Sequence, residues 1–156
     1  MSDPKKVKMG KKSRAQGGIF ETRVRAELEE DGWIVDKWSN NIKISNGKGC
    51  PEFAPESYEL CQAKPKYLFI NGGMRMVGNN SGFPDFIIFK PGEVGPIVGV
   101  ESKMTGDLDR IEKAKCKWLL DRGIFDKILI AEKTKVKNRV VIIYHDFKEK
   151  YKRFYK

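Results

Sequence analysis

Apolar and polar positions along this 156-residue chain alternate with two different periods. Ile19, Phe20, Val24 and Leu28 recur at helical spacing and predict a helix from about Ala15 or Gly18 to Asp31, stopped by Gly32. Leu108, Ile111, Ala114, Trp118 and Leu119 repeat that pattern and predict a second helix over 107–122, closed by Gly123. Short apolar runs predict strands at 33–38, 86–89, 96–100, 127–131 and 139–144. Runs 67–70 and 74–77 flank Asn71-Gly72-Gly73, a strong hairpin signal. Residues 46–64, with Gly47, Gly49, Pro51 and Pro55, read as an extended loop, and 78–82 as a second loop holding Asn79, Asn80 and Ser81. The order is helix, strand, hairpin, strand, strand, helix, strand, strand. That order predicts an α/β (α+β) fold, a central mixed sheet flanked by helices.

Charge adds a division of the chain. The net charge is +10, from 31 basic and 21 acidic residues. Residues 1–14 carry six Lys or Arg against one Asp, and 148–156 carry five against one Glu. The body between is therefore close to neutral. The expected organisation is a flexible basic arm at 1–14, one domain at 15–145, and a basic aromatic tail at 146–156 with Tyr151, Phe154 and Tyr155. Basic ends on a neutral body suit the phosphate backbone of a nucleic acid; the bland alternative is two solubilising tails. The tail aromatics could stack on bases or pack onto the body. No apolar run approaches a membrane span, and the charged first residues lack a signal-peptide core, so an intracellular, cytoplasmic protein is expected.

Some chemistries are excluded by count. His145 is the sole histidine, so nucleases needing a His base plus His metal ligands cannot be built, and a strand-end position accounts for it. Three cysteines, Cys50, Cys61 and Cys116, rule out a full disulfide framework. Cys116 reads as a small buried residue; Cys50 and Cys61 could pair, but their spacing fits no common zinc pattern.

What remains is concentrated in two short motifs. Pro84-Asp85 opens the apolar run Phe86-Ile87-Ile88-Phe89, and Glu101-Ser102-Lys103 closes the run that ends at Val100. Side chains two apart on a strand share a face, so Glu101 and Lys103 point the same way, about 6.6 Å apart at Cα. A turn around Gly92 and Gly95 would pair the strands antiparallel and bring Asp85 close to Glu101. Two carboxylates that close repel unless a cation lies between them, and Mg²⁺ is held by one or two carboxylates with water completing its shell. The bland alternative is an edge-of-sheet ion pair of Lys103 with Glu101 or Asp85.

These motifs, following a helix with Gly18, Phe20 and Glu21, resemble the PD-(D/E)XK nuclease superfamily, in particular archaeal Holliday-junction resolvases and VRR-NUC nucleases. The similarity covers roughly 15–132 and includes Gly82 to Phe89 and Val98 to Lys103. It implies a restriction-endonuclease-like sheet with an inserted loop and hairpin. It implies Mg²⁺ or Mn²⁺ on Asp85 and Glu101, Lys103 positioning a water, and Glu21 assisting metal or water binding. Residues alone would leave Glu21 as an i, i+4 surface partner of Arg25. The resemblance further implies an endonuclease acting on DNA, branched or flapped substrates included, and a homodimer that cuts two strands symmetrically. The alternatives are an RNA-processing nuclease and a noncatalytic nucleic-acid-binding protein that keeps the fold. Three departures stand out: the long segment 40–81, a polar Ser102, and a helix after Lys103 without the glutamine often seen there.

Overall fold

In the computed structural model, which describes residues 4–44, 58–70, 72–78, 82–92 and 94–155, the chain opens with a long helix, α1 (Pro4–Glu30). Its second half buries Phe20, Val24 and Leu28, and Gly32 ends it with φ of +80°. The helix runs back to Pro4, through the segment expected to be a disordered arm. Proline is tolerated in the first helical turn, and Lys, Met, Arg, Ala and Gln after it are good helix formers. High charge alone was a poor guide there, because Lys and Arg favour helix while they repel one another.

Strands β1 (Ile34–Lys37) and β2 (Asn40–Ile44) follow, then β3 (Tyr58–Gln62), β4 (Lys66–Ile70) and β5 (Gly73–Gly78). Next come β6 (Phe86–Phe89), β7 (Val98–Lys103), α2 (Arg110–Asp121), β8 (Lys127–Val136) and β9 (Arg139–Asp146). Helix α3 (Phe147–Lys150) and a 3₁₀ turn (Lys152–Tyr155) close the chain. The fold is mixed α/β, as the periodicities predict. Five strands form one sheet in the order β1-β6-β7-β8-β9. All neighbours are antiparallel except β7 and β8, and α2 supplies the crossover a parallel pair requires. Strand β8 runs five residues beyond its expected end, to a two-residue turn in which Lys137 and Asn138 both have positive φ.

Two small antiparallel pairs stand beside this sheet: β2 with β3, and the expected hairpin β4 with β5. The β2–β3 pair corrects the loop expected over 46–64 at its end; residues 45–57, Cys50 and any bridge from it to Cys61, and the loop residues Asn79, Asn80 and Ser81 lie outside the described residues. Ile42 and Tyr58 are buried in this pair, and Tyr58 packs near Trp118 of α2. Tertiary packing, which no local pattern announces, holds these strands.

The sheet separates two apolar layers. On one face α1 covers Val35, Phe86, Ile88, Val98 and Val100. On the other, Ala114, Cys116, Leu119 and Leu120 of α2 cover Ile128 and Ile130, with Phe125 and Phe147. Cys116 is thus the small core residue its pattern suggested. Tyr151 belongs to the body as well: its ring packs 5.4 Å from Phe147, and its hydroxyl accepts from the Leu108 backbone N–H. The side chains of Phe154 and Tyr155 lie outside the described residues. Among the described residues no helix is long and apolar enough to cross a membrane.

Gly99 fixes how closely the segment before β6 can approach β7. A Cβ there would sit 2.8 Å from Pro84 Cγ and 3.4 Å from atoms of Ile128 and Phe125. We expect Gly99→Ala to destabilise the protein by about 1–3 kcal/mol, the usual range for overpacking. A lower urea midpoint checks this; an unchanged midpoint would show that Pro84 yields freely.

Candidate active site

The register of the two central strands builds this site. Phe86 pairs with Val100 and Ile88 with Val98, which sets Asp85 opposite Glu101 at one end of the β6–β7 pair. Strand alternation places both carboxylates on the α2 side, away from Val98 and Val100. The two residues are 7 % and 5 % exposed, the only charged residues so deeply buried among those described. Strand β7 is the middle strand of five, so its ion pair is not an edge-of-sheet feature.

The segment leading to Asp85 is clamped in place. Phe83 N–H donates to the Asn40 carbonyl at 2.8 Å, and Trp38 N–H donates to the Asp85 carbonyl at 3.2 Å. Gly82 lies so close to this backbone that a Cβ would overlap the Trp38 carbonyl oxygen. The Asp85 side chain is held too, its Oδ2 accepting from the Ser102 N–H at 2.9 Å.

Glu101 shares Lys103 with a third acid. Lys103 Nζ lies 3.4 Å from Glu101 Oε1 and 2.5 Å from Glu112 Oε1. Glu112 is the third residue of α2 and also completes its N-terminal capping box. Its Oε2 accepts from Asp109 N–H, while its own N–H donates to Asp109 Oδ1. The helix cap therefore aims a carboxylate at the lysine. The other oxygen of Glu101, Oε2, is buried and accepts no hydrogen bond among the described residues.

Asp85, Glu101, Lys103 and Glu21 all line one open cavity of about 390 Å³. Glu21 reaches it from α1. It accepts from Lys37 Nζ at 2.6 Å, while Arg25 pairs instead with Glu29, so the expected Glu21–Arg25 surface pair does not form. Three further lining residues were not singled out from the sequence: Asn41, Glu112 and Lys115. Lys115 Nζ donates to Asn41 Oδ1 at 2.8 Å and lies over the Phe83 ring. Lys115 is three residues after Glu112 and so on the same helical face, a relation visible in the sequence. What was not visible is that this face meets β2 rather than solvent. His145 lies elsewhere, partly buried at the end of β9 and bonded to Glu132.

Electrostatics define what the cavity can accept. Burial raises the Asp85 pKa, with the Ser102 N–H pulling against it. Burial, and then the charge of Asp85, push Glu101 well above the usual carboxylate range. For Lys103, burial lowers the pKa, but Glu112 and Glu101 together outweigh it, so the ammonium is raised and stays protonated at neutral pH. Burial lowers Lys115. Four carboxylates face two lysines across the lining. With Lys37 offsetting Glu21, the lining has at most a small negative excess, which a cation would offset.

Asp85 and Glu101 fit a divalent cation on their own terms: they are adjacent oxygen donors with one oxygen unpartnered. Among the described residues no group of three or more His, Cys, Asp or Glu gathers to hold a metal, so a cation here would rest on Asp85 and Glu101 alone.

The raised carboxyl groups make a prediction for metal-free protein. A carboxyl whose folded pKa exceeds its unfolded value contributes fully at low pH, and that contribution is lost as pH climbs through the folded pKa. For Glu101 the loss starts from the ordinary value of 4.5. In EDTA, Glu101→Gln should therefore melt higher than the parent at pH 7.5, by about 2–4 °C per kcal/mol relieved, with the gap closing toward pH 4. Calorimetry at both pH values measures it, and an equal gap at both would contradict the burial account. Neither protein families, nor curated proteins, nor solved structures provide a match to this chain.

Proposed function

We propose that this protein is a Mg²⁺- or Mn²⁺-dependent nuclease that hydrolyses phosphodiester bonds in DNA, as its resemblance to PD-(D/E)XK nucleases implies. One observation carries the reading. Two buried carboxylates stand opposite each other with a protonated lysine beside them, and one carboxylate oxygen lacks a partner in a cavity open to solvent.

Asp85 and Glu101 would hold the cation. When bound, it supplies Lewis-acid polarisation of a phosphoryl oxygen and lowers the pKa of water. The chain's own residues do the rest. Lys103, being protonated, is not the proton acceptor. Its N–H groups donate, so it can orient a water through the water's oxygen and offset negative charge growing on the phosphate. Glu112 keeps that ammonium pointed into the cavity. Lys115, steered by Asn41, offers a second cationic group to a phosphate oxygen. Glu21, already neutralised by Lys37, stands across the cavity from α1. Hydrolysis forms a bond from the water oxygen to phosphorus and breaks the bond to the leaving sugar oxygen, giving a phosphomonoester and a hydroxyl.

The charge of α1 supports a nucleic-acid substrate. Residues 4–16 hold five lysines and Arg14 with no acid. Arg14 lies seven residues before Glu21, or about 10 Å along the axis. A basic helix thus leads directly to the cavity, suited to a phosphate backbone passing it.

Two outcomes test the reading. With linear, single-stranded, flapped and four-way-junction DNA, and with RNA, products should form with Mg²⁺ and not with EDTA. Asp85→Asn, Glu101→Gln and Lys103→Met should each slow cleavage by at least about 10²-fold, the usual cost of removing one charge-stabilising group. Full activity in Glu101→Gln would refute the assignment. Metal-independent binding with no products on any substrate would favour the noncatalytic binder, and products from RNA alone the RNA-processing enzyme. Separately, Mg²⁺ at ten times its Kd should stabilise the parent by about 1.4 kcal/mol. Thermal melting should show that shift, and Glu101→Gln should lose it.

A further inference from the structure

The β4–β5 hairpin forms a two-stranded sheet of its own, outside the five-stranded sheet. An isolated two-stranded hairpin is marginal in water unless one face is covered. Among its described side chains, two large apolar ones are uncovered. The register pairs Phe69 with Met74 next to the turn, and these facing residues are 72 % and 67 % exposed. A single exposed apolar residue needs no explanation, but a facing aromatic–thioether pair beside a turn does.

Its surroundings identify the partner. Residues 60–84 contain Lys64, Lys66 and Arg75 and no Asp or Glu, so the stretch is purely cationic. A cationic stretch that carries an exposed aromatic has a composition that binds nucleic acid, charges tracking phosphates and the ring meeting a base. A protein partner with an acidic face would satisfy the cations but leave the apolar tip without a specific role. The hairpin is also continuous with the cavity, because β5 ends at Gly78 and Gly82 already lines it. Four residues span at most about 14 Å and β5 about 17 Å, so the tip lies within about 30 Å of the cavity wall at Gly82.

We infer that the β4–β5 hairpin is a wedge that places Phe69 and Met74 against unpaired or unstacked bases flanking the phosphate in the cavity, selecting branched or single-stranded over fully paired nucleic acid. The inference rests on the nucleic-acid reading above and adds its selectivity. Apolar side chains of this kind insert at base steps and hold them open.

The test uses the full chain in EDTA, where nothing is cut. Anisotropy is measured with a labelled flapped DNA and a matched perfect duplex, for the parent, Phe69→Ala/Met74→Ala and Phe69→Trp. The double variant should bind flapped DNA about tenfold more weakly, the loss expected for one stacked base, and duplex within about twofold. Phe69→Trp should keep parental affinity. A 2-aminopurine beside the branch should brighten with the parent and not with the double variant. Melting temperatures of the three proteins should agree. Unchanged flap binding, or an equal loss on both DNAs, would overturn the inference. So would an apolar tip needed only for phosphatidylcholine vesicles or for self-association on a sizing column. If Mg²⁺ yields no cleavage while the double variant still loses flap binding, the wedge stands and the nuclease reading falls. If cleavage requires Glu101 but the double variant binds flaps normally, the wedge falls alone.

Discussion

Two carboxylates forced into one buried corner are the constraint on which the rest of this structure turns. Apart from the Ser102 N–H on Asp85 and the Lys103 ammonium beside Glu101, the two carboxylates gain little for the fold by lying there. Burial disfavours the charge on each, and each disfavours the charge on the other. A fold whose net stability is of order 5–15 kcal/mol tolerates such a site only if surrounding interactions hold it shut. Here they are identifiable. The β6–β7 register sets the pair opposite, Gly82 and Gly99 let the flanking segments approach, and the Ser102 N–H secures one carboxylate. A divalent cation would turn this local repulsion into attraction.

Helix α2 links the topology to that chemistry. It is the crossover that makes β7 and β8 parallel, and its buried face completes one of the two apolar layers. Its first turn caps itself with Asp109 and Glu112, and the same Glu112 side chain holds Lys103. One turn later, Lys115 reaches Asn41 across the cavity. Folding and site assembly are therefore not separable at this helix. The element that must dock to finish the core also delivers a carboxylate and an ammonium to the cavity.

Legibility in the sequence varied with how local the cause was. Strands β6 and β7 and helix α2 were readable because apolar period and turn residues agree there. The β4–β5 hairpin was readable from Asn71-Gly72-Gly73. The start of α1 was missed because its charges obscured good helix propensity. The β2–β3 pair was missed because Ile42 and Tyr58 owe their burial to α2, far away in the chain. Lys115 is one of three lysines on α2, and nothing local says which one faces a cavity. Glu21 was marked as a candidate by resemblance, and it does line the cavity, but its ion-pair partner, Lys37, is 16 residues away.

By itself, then, the sequence determined which residues are the candidates for chemistry. Asp85, Glu101 and Lys103 stand at strand ends because strand periodicity and the adjoining apolar runs permit nothing else, and that information is encoded within a few residues of each. Only the tertiary structure decided their company. Which lysine joins them, which acid restrains Lys103, which carboxylate oxygen is left unpartnered and which apolar pair is left uncovered all depend on contacts between segments distant in the chain. Such contacts form after local propensities are satisfied, and no short window of residues contains them.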